Sequence, residues 1–297
     1  MNNDSSIHAL QEVNLQCLTH IRDEIQSLFS RYGSDSFPET QTLKCLFWYL
    51  SSRNQAVSFL ISHGYLWDSE IILRSFYEVA AKILFISFSE DNEKAVLIDE
   101  FWNGLGSIND RKRARKAAYA EQIFEAGSMS AEVFSALQDD RTFDLQAEGS
   151  KTQRKRIEQK WSFSEIIEQL DQKVSHGKPL EGIKSMLHMY GIASHLIHAD
   201  QAAMDLMHDR ATREHGEREI LEAAHVARIM SDQVNITWFC ADALRQNFKG
   251  EFIDNVKLRE LLKEFAKLSD PFHANFSESQ RDFYALRQAK ANQDPIK

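Results

Sequence analysis

Apolar residues recur along this chain at the three- and four-residue intervals of an α-helix. Ile7, Leu10, Leu15, Leu18, Ile21, Ile25 and Leu28 predict a first helix over residues 7–32, behind a capping cluster at residues 2–6. The segment GSDSFPE (33–39) breaks it, and Pro38 suits the first turn of a second helix. Leu43, Leu46, Phe47, Leu50, Val57, Phe59 and Leu60 place that second helix over 39–63, ended by His63-Gly64. The next stretch, LWDSEIILRSFYEVAAKILFISF (66–88), is apolar on nearly every side. A helix of that kind is buried rather than laid on a surface. The link between the two is too short for anything but an antiparallel hairpin. Arg74 and Glu78 lie one turn apart, in the same sector as Trp67, Ala81 and Phe85. They predict an ion pair on a central helix.

Residues 93–105 continue as helix with Phe101 and Trp102, after which the character changes. NDRKRARK (109–116) is followed by weaker periodicity over 121–149, a second basic run KTQRKRIEQK (151–160), and a short amphipathic helix over 161–170. We read residues 106–178 as a peripheral helical insertion with two basic runs, on a single helical domain spanning 1–297. HGKP (176–179) marks its far boundary. Long helices are predicted over 180–208 and 214–248, separated by the polar DRATREHGE stretch (209–217). A shorter helix over 256–268 is expected to end at Asp270-Pro271, before a final short helix and a frayed tail. No internal repeat or low-complexity block interrupts the pattern. The fold class is all-α, a bundle of long antiparallel helices.

Composition reinforces this. Eleven glycines and four prolines in 297 residues leave little turn chemistry for a many-stranded fold. With 43% apolar residues the chain has ample material for a core. A net charge of −9 argues against nucleic-acid binding through bulk charge, while leaving room for a local basic patch. Cys17, Cys45 and Cys240 are scattered and odd in number, which predicts reduced, buried thiols. The N-terminal segment has neither the basic start nor the apolar core of a signal peptide, and no apolar run reaches a membrane-spanning length. The expectation is a cytoplasmic protein with no membrane partner.

Polar chemistry concentrates on the helix predicted over 180–208. Tyr190, Ser194, His198, Gln201, Asp205 and His208 form one stripe, opposite a core face of Met189, Ile192, Leu196, Ala199, Ala203 and Leu206. A solvated face favours Lys, Glu and Arg; this one carries groups that hydrogen-bond in clefts. A buried Arg74–Glu78 pair needs further hydrogen-bond partners, and Ser194 and His198 are suitable. Two readings stay open: a functional cleft, or a structural network that fixes helix register.

LWDSEIILRSFYEVAAKILFI (66–86), FWNGL (101–105) and YGIASHLIHAD (190–200) together resemble a widespread bacterial all-helical family of unknown function. Its pattern is an Arg-x-x-x-Glu helix followed much later by a Ser-x-x-x-His helix. The match falls on Arg74, Glu78, Ser194 and His198, within about residues 55–205. Such proteins also resemble HEPN domains, helical bundles many of which are metal-independent ribonucleases of toxin–antitoxin and antiphage systems. The HEPN signature, an Arg followed four to six residues later by a His, is similar to Arg210-Ala-Thr-Arg-Glu-His215, although Ala211 stands where a polar residue is common. The resemblance implies a homodimer, an RNA substrate and a protein partner such as an antitoxin. An imidazole would take the proton from a ribose 2′-hydroxyl while a guanidinium stabilises the phosphorane charge.

Metal chemistry has weaker support. His195-x-x-His198-x-Asp200 is one possible ligand set, and Glu222-x-x-His225 resembles half of a ferritin-type site whose second half is missing. The sequence therefore predicts no metal and no cofactor. Two functional classes remain. One is a HEPN-like ribonuclease using Arg74, Glu78, Ser194 and His198, with Arg210 and His215 as the competing pair. The other is a non-catalytic helical module that binds a nucleotide, RNA or a protein partner through the same polar cleft.

Overall fold

The computed structural model describes residues 3–33, 37–138, 151–175, 178–180, 182–281 and 285. The chain divides into two compact units, residues 1–87 with 181–297, and residues 88–180. The fold is all-α; the one strand pairing among the described residues joins β1 (Val174–Ser175) to β2 (Lys178–Pro179), two residues each.

The first unit contains α1 (Asn3–Tyr32), α2 (Pro38–Ser62), α3 (Leu66–Ser87), α9 (Ser185–His198), α10 (Gln201–Thr212), α11 (His215–Asn247) and α12 (Asn255–Ser279). Pro38 opens α2, where its missing N–H removes nothing the helix needs. Gly64, at φ +79°, supplies the left-handed turn between α2 and α3. α3 packs against α2, α9 and α11, and α11 also packs against α1 and α12. Leu73, Phe76, Val79, Ala80, Ile83, Leu84 and Ile86 make α3 almost wholly interior. Deep between α1, α2 and α11 sits a polar knot. Asn14 donates to Gln233, Gln233 Nε2 donates to Asn54 Oδ1 at 3.2 Å, and Asn54 donates to Thr237 at 2.8 Å.

Three expectations for this unit are corrected. The helix predicted over 180–208 starts at Ser185 and breaks at Ala199, whose φ of +46° is left-handed; Asp200 then caps α10 through Ala203 N–H. The stripe from Tyr190 to His208 is therefore split between two helices, and of its supposed core face only Leu196 and Ala203 are buried. Pro271 does not end the last long helix, which runs on to Ser279. Burial of Ser269 and Phe272 on either side of the proline holds the helix together across the missing N–H. Finally, Cys45 is exposed while Cys17 and Cys240 are buried; all three are free. Burial pushes the Cys17 thiol up to about 12.

The second unit contains α4 (Asp91–Asp99), a π-helical turn (Glu100–Gly104), α5 (Leu105–Glu121), α6 (Met129–Ala136), α7 (Lys151–Lys160), α8 (Phe163–Asp171) and the β1–β2 pair. The helix predicted over 93–105 thus swells into a π-turn and continues straight through the first basic run. Residues 139–149 of the weakly periodic 121–149 stretch and residue 150 lie outside the described residues, as do 34–36 of the first break, 176–177 of the HGKP boundary, and the tail from 286.

Candidate functional site

Besides the amide knot, three polar assemblies of the first unit bear on function. The first is built on α3 and α9. Arg74 Nε stands 3.5 Å from Glu78 Oε1, and both side chains are partly exposed, at 25% and 37%. Tyr190 joins them: Arg74 Nη2 donates to its hydroxyl at 2.8 Å, and that hydroxyl donates to Glu78 Oε1 at 2.8 Å. The guanidinium also lies over the Tyr190 ring, 4.9 Å from its centroid. Burial raises the phenol's pKa, against the Arg74 hydrogen bond, so the ring stays neutral. Ser194, one turn further along α9, is half-buried, and His198, the last residue of α9, is exposed. Neither has a side-chain hydrogen bond to Arg74 or Glu78. The structure thus joins two of the four anticipated residues, through Tyr190.

The second assembly is interior and joins α3 to α11. Glu70 is 1% exposed. Its Oε1 accepts from His225 Nε2 at 2.5 Å and from Arg228 Nη2. Arg228 Nη1 also donates to Asp232 Oδ2 at 2.7 Å, and the Tyr77 hydroxyl donates to the same oxygen at 2.6 Å. Burial, then the neighbouring Arg210 charge, pushes His225 down to about 3, so its imidazole is neutral at physiological pH and Nε2 carries the proton given to Glu70. Burial and the Asp232 carboxylate raise Tyr77 well above the ordinary phenol range. At the rim, Trp67 meets the His225 ring edge-on at 5.2 Å, and the Arg210 guanidinium lies 5.4 Å from the Trp67 centroid. Arg210 and His215, the competing pair, therefore part company. His215 is 77% exposed and pairs with Glu219 at 3.2 Å.

The third assembly sits at the α9–α10 break. The left-handed Ala199 turns the chain back, so that Asp200 Oδ2 accepts from His195 Nδ1 at 2.6 Å while Oδ1 caps α10. The His195 hydrogen bond is the main cause holding the Asp200 carboxyl below its ordinary range. His195 is 52% exposed and Asp200 41%. With Nδ1 committed to the carboxylate, Nε2 of the exposed ring is left without a protein hydrogen bond. This is the arrangement by which a carboxylate fixes an imidazole's tautomer and aim for proton transfer.

Sequence reading missed the Glu70–His225–Arg228–Asp232 set. Its signal was the 3,4 spacing of His225, Arg228 and Asp232 along one face of α11. The His195–Asp200 pairing had no periodic signal, because residues five apart on a continuous helix point about 140° away from each other. Among the described residues, no three His, Cys, Asp or Glu side chains are grouped to hold a metal ion. Nor is any helix among them long and apolar enough to cross a membrane.

No curated protein and no solved structure matches this chain. One family profile does, over residues 42–216, a span holding Arg74, Glu78, Tyr190, His195 and Asp200 but ending before His225 and Arg228. By that match the chain belongs to the family of unknown function DUF5677.

Proposed function

We propose that this protein is a metal-independent ribonuclease of the HEPN-like kind, with His195 as its proton-transfer group and Asp200 as the residue that aims it. The observation that carries this reading is the exposed His195–Asp200 pair, 2.6 Å apart, with Nε2 left for a substrate. Of the imidazole–carboxylate pairs that a polymer can reach it is the shortest, against 3.2 Å for His215–Glu219. His225 is nine-tenths buried and too weakly basic to serve. In the reaction, His195 Nε2 takes the proton of a ribose 2′-hydroxyl, and the 2′-oxygen forms a bond to the adjacent phosphorus. The bond from phosphorus to the 5′-oxygen breaks, and the imidazolium returns the proton to that leaving oxygen. The products are a 2′,3′-cyclic phosphate and a 5′-hydroxyl. The likeness to HEPN proteins supports a role as the effector of a bacterial defence or toxin–antitoxin system, acting as a cytoplasmic homodimer.

The test is cleavage of a labelled RNA in EDTA by wild-type protein, His195→Ala and Asp200→Asn. Asparagine caps a helix nearly as well as aspartate, so Asp200→Asn removes the carboxylate charge while keeping α10. Loss of about 10²–10⁴-fold in His195→Ala, with a smaller loss in Asp200→Asn, is the expected result. Cleavage undiminished in His195→Ala overturns the assignment. No cleavage by folded wild-type protein favours the second reading, a non-catalytic module binding a nucleotide, RNA or protein partner. That reading draws on the rim of the interior network, where Glu70 Oε2, His225 Nδ1 and Arg210 Nη1 are buried without hydrogen-bond partners beside Trp67.

A further inference from the structure

The two basic runs, some forty residues apart in the chain, become neighbours in the second unit. The first lies on α5 and the second forms α7, and the two helices pack together. Three features fix their register. Lys112 of α5 pairs with Glu158 of α7. Gly104 lies against Ile157, close enough that an added Cβ would sit 3.6 Å from its Cδ1. Glu100, on the π-turn, accepts from Lys160 Nζ at 2.7 Å and from Trp161 Nε1 at 3.2 Å. The π-turn thus aims a carboxylate at the C-terminal end of α7 and locks it in place.

Together the two helices carry ten Lys or Arg against three acidic residues, in a chain whose net charge is −9. Such a concentration of like charge opposes its own assembly unless something neutralises it. Arg111 is half-buried, and its Nη1 is shielded from solvent without a hydrogen-bond partner. Its pKa is lowered by desolvation, then by the charges of Arg154 on α7 and Arg115 on α5. A guanidinium crowded by others and holding an unused donor is a site for an anionic oxygen. Arg111, Arg115 and Tyr119 succeed one another at four-residue intervals along one stripe of α5, and Tyr119 is 72% exposed.

We infer that the α5–α7 surface is a binding platform for single-stranded nucleic acid, with the arginines on the phosphates and Tyr119 stacking a base. Arginine forks match phosphate oxygens, and an exposed ring on a basic track stacks bases of any sequence. An anionic membrane is the less fitting occupant. A helix that lies on a membrane buries a continuous apolar face in it, whereas the buried residues of α5 are Ile108, Ala114 and Ala117, already packed within the protein. The inference concerns binding alone and stands whether or not the chain cleaves RNA.

The experiment is fluorescence anisotropy with a labelled oligouridylate of about 20 nucleotides, long enough for one such track. It uses the full chain carrying His195→Gln, so that loss of binding and loss of cleavage cannot be confused. Reversing Arg111, Arg115 and Arg154 to Glu is expected to weaken binding at least about 100-fold and to flatten the dependence of log K on log salt by about 2. Tyr119→Ala, which leaves charge untouched, is expected to weaken it about tenfold. The control reverses the exposed Arg259, Lys263 and Lys267 of α12 to Glu, the same change in net charge elsewhere. Equal weakening by the control would show bulk electrostatics and overturn the platform. So would absence of binding by the parent protein, or binding to phosphatidylserine vesicles with none to the oligonucleotide.

Discussion

Glu70 illustrates how much one side chain can settle. It is almost fully buried and takes hydrogen bonds from both His225 and Arg228, so removing it leaves the buried His225 Nε2–H without its acceptor and Arg228 with Asp232 alone. Glu70→Ala is therefore expected to cost about 3–5 kcal/mol. Arg74→Ala, at a pair that remains partly exposed, is expected to cost about 1 kcal/mol. Urea denaturation of both variants checks the contrast; equal losses would contradict it. His225 adds a pH dependence. Its folded pKa, about 3, lies below the ordinary 6.5, so the proton binds the unfolded chain more readily. Its contribution to stability is complete above about pH 6.5 and is lost as the pH falls toward 3. The charged groups around it are Glu70, Arg228, Arg210 and Glu222. Denaturation midpoints at pH 7 and pH 5 should differ more in wild type than in His225→Gln. At this scale the sequence disclosed the Arg74–Glu78 pair, because four-residue spacing on one helix brings two side chains together. It did not disclose Glu70–His225, a contact across 155 residues that depends on how two helices pack.

Helix ends were legible where glycine or proline marked them, and hidden where ordinary residues did the work. His63-Gly64 and Lys249-Gly250 stop α2 and α11 as expected from their composition. Ala199 does the same between α9 and α10 with a residue that favours helix, in a left-handed conformation costing roughly 1–2 kcal/mol. The visible clue was Asp200, a favoured N-cap residue. Ala199→Gly relieves the strain at the expense of a freer unfolded chain, and we expect a net gain of up to about 1 kcal/mol, seen as a higher Tm with the His195–Asp200 pair retained. A loss of stability would show that the turn is not strained. The proline in α12 shows the opposite error: tertiary burial of Phe272 outweighed a local stop signal. Between α1, α2 and α11 the amide knot sets which residues face one another. Asn54→Leu, which leaves Gln233 and Thr237 short of a partner, is expected to destabilise by about 1–3 kcal/mol.

For the molecule as a whole, the scarcity of glycine and proline and the long helical periodicities were enough to read an all-α fold. The candidate site was legible only in part. Tyr190, Ser194 and His198 share a stripe, yet which of them meets Arg74 is decided by the rotation of α9 against α3, and the answer is Tyr190. On α9 it is His195 that gains a carboxylate, because the chain turns back at a residue where periodicity runs straight on. Charge is distributed as unevenly as the polar groups, with the basic runs gathered on α5 and α7 of the second unit. The central claim, proton transfer by His195 without a metal, is tested most directly by the chemistry of the RNA ends left after incubation in EDTA. Wild-type protein is expected to leave 2′,3′-cyclic phosphate and 5′-hydroxyl ends, and His195→Ala to leave none above background. Ends bearing a 3′-hydroxyl and a 5′-phosphate, or cyclic phosphate ends formed equally by His195→Ala, would contradict it.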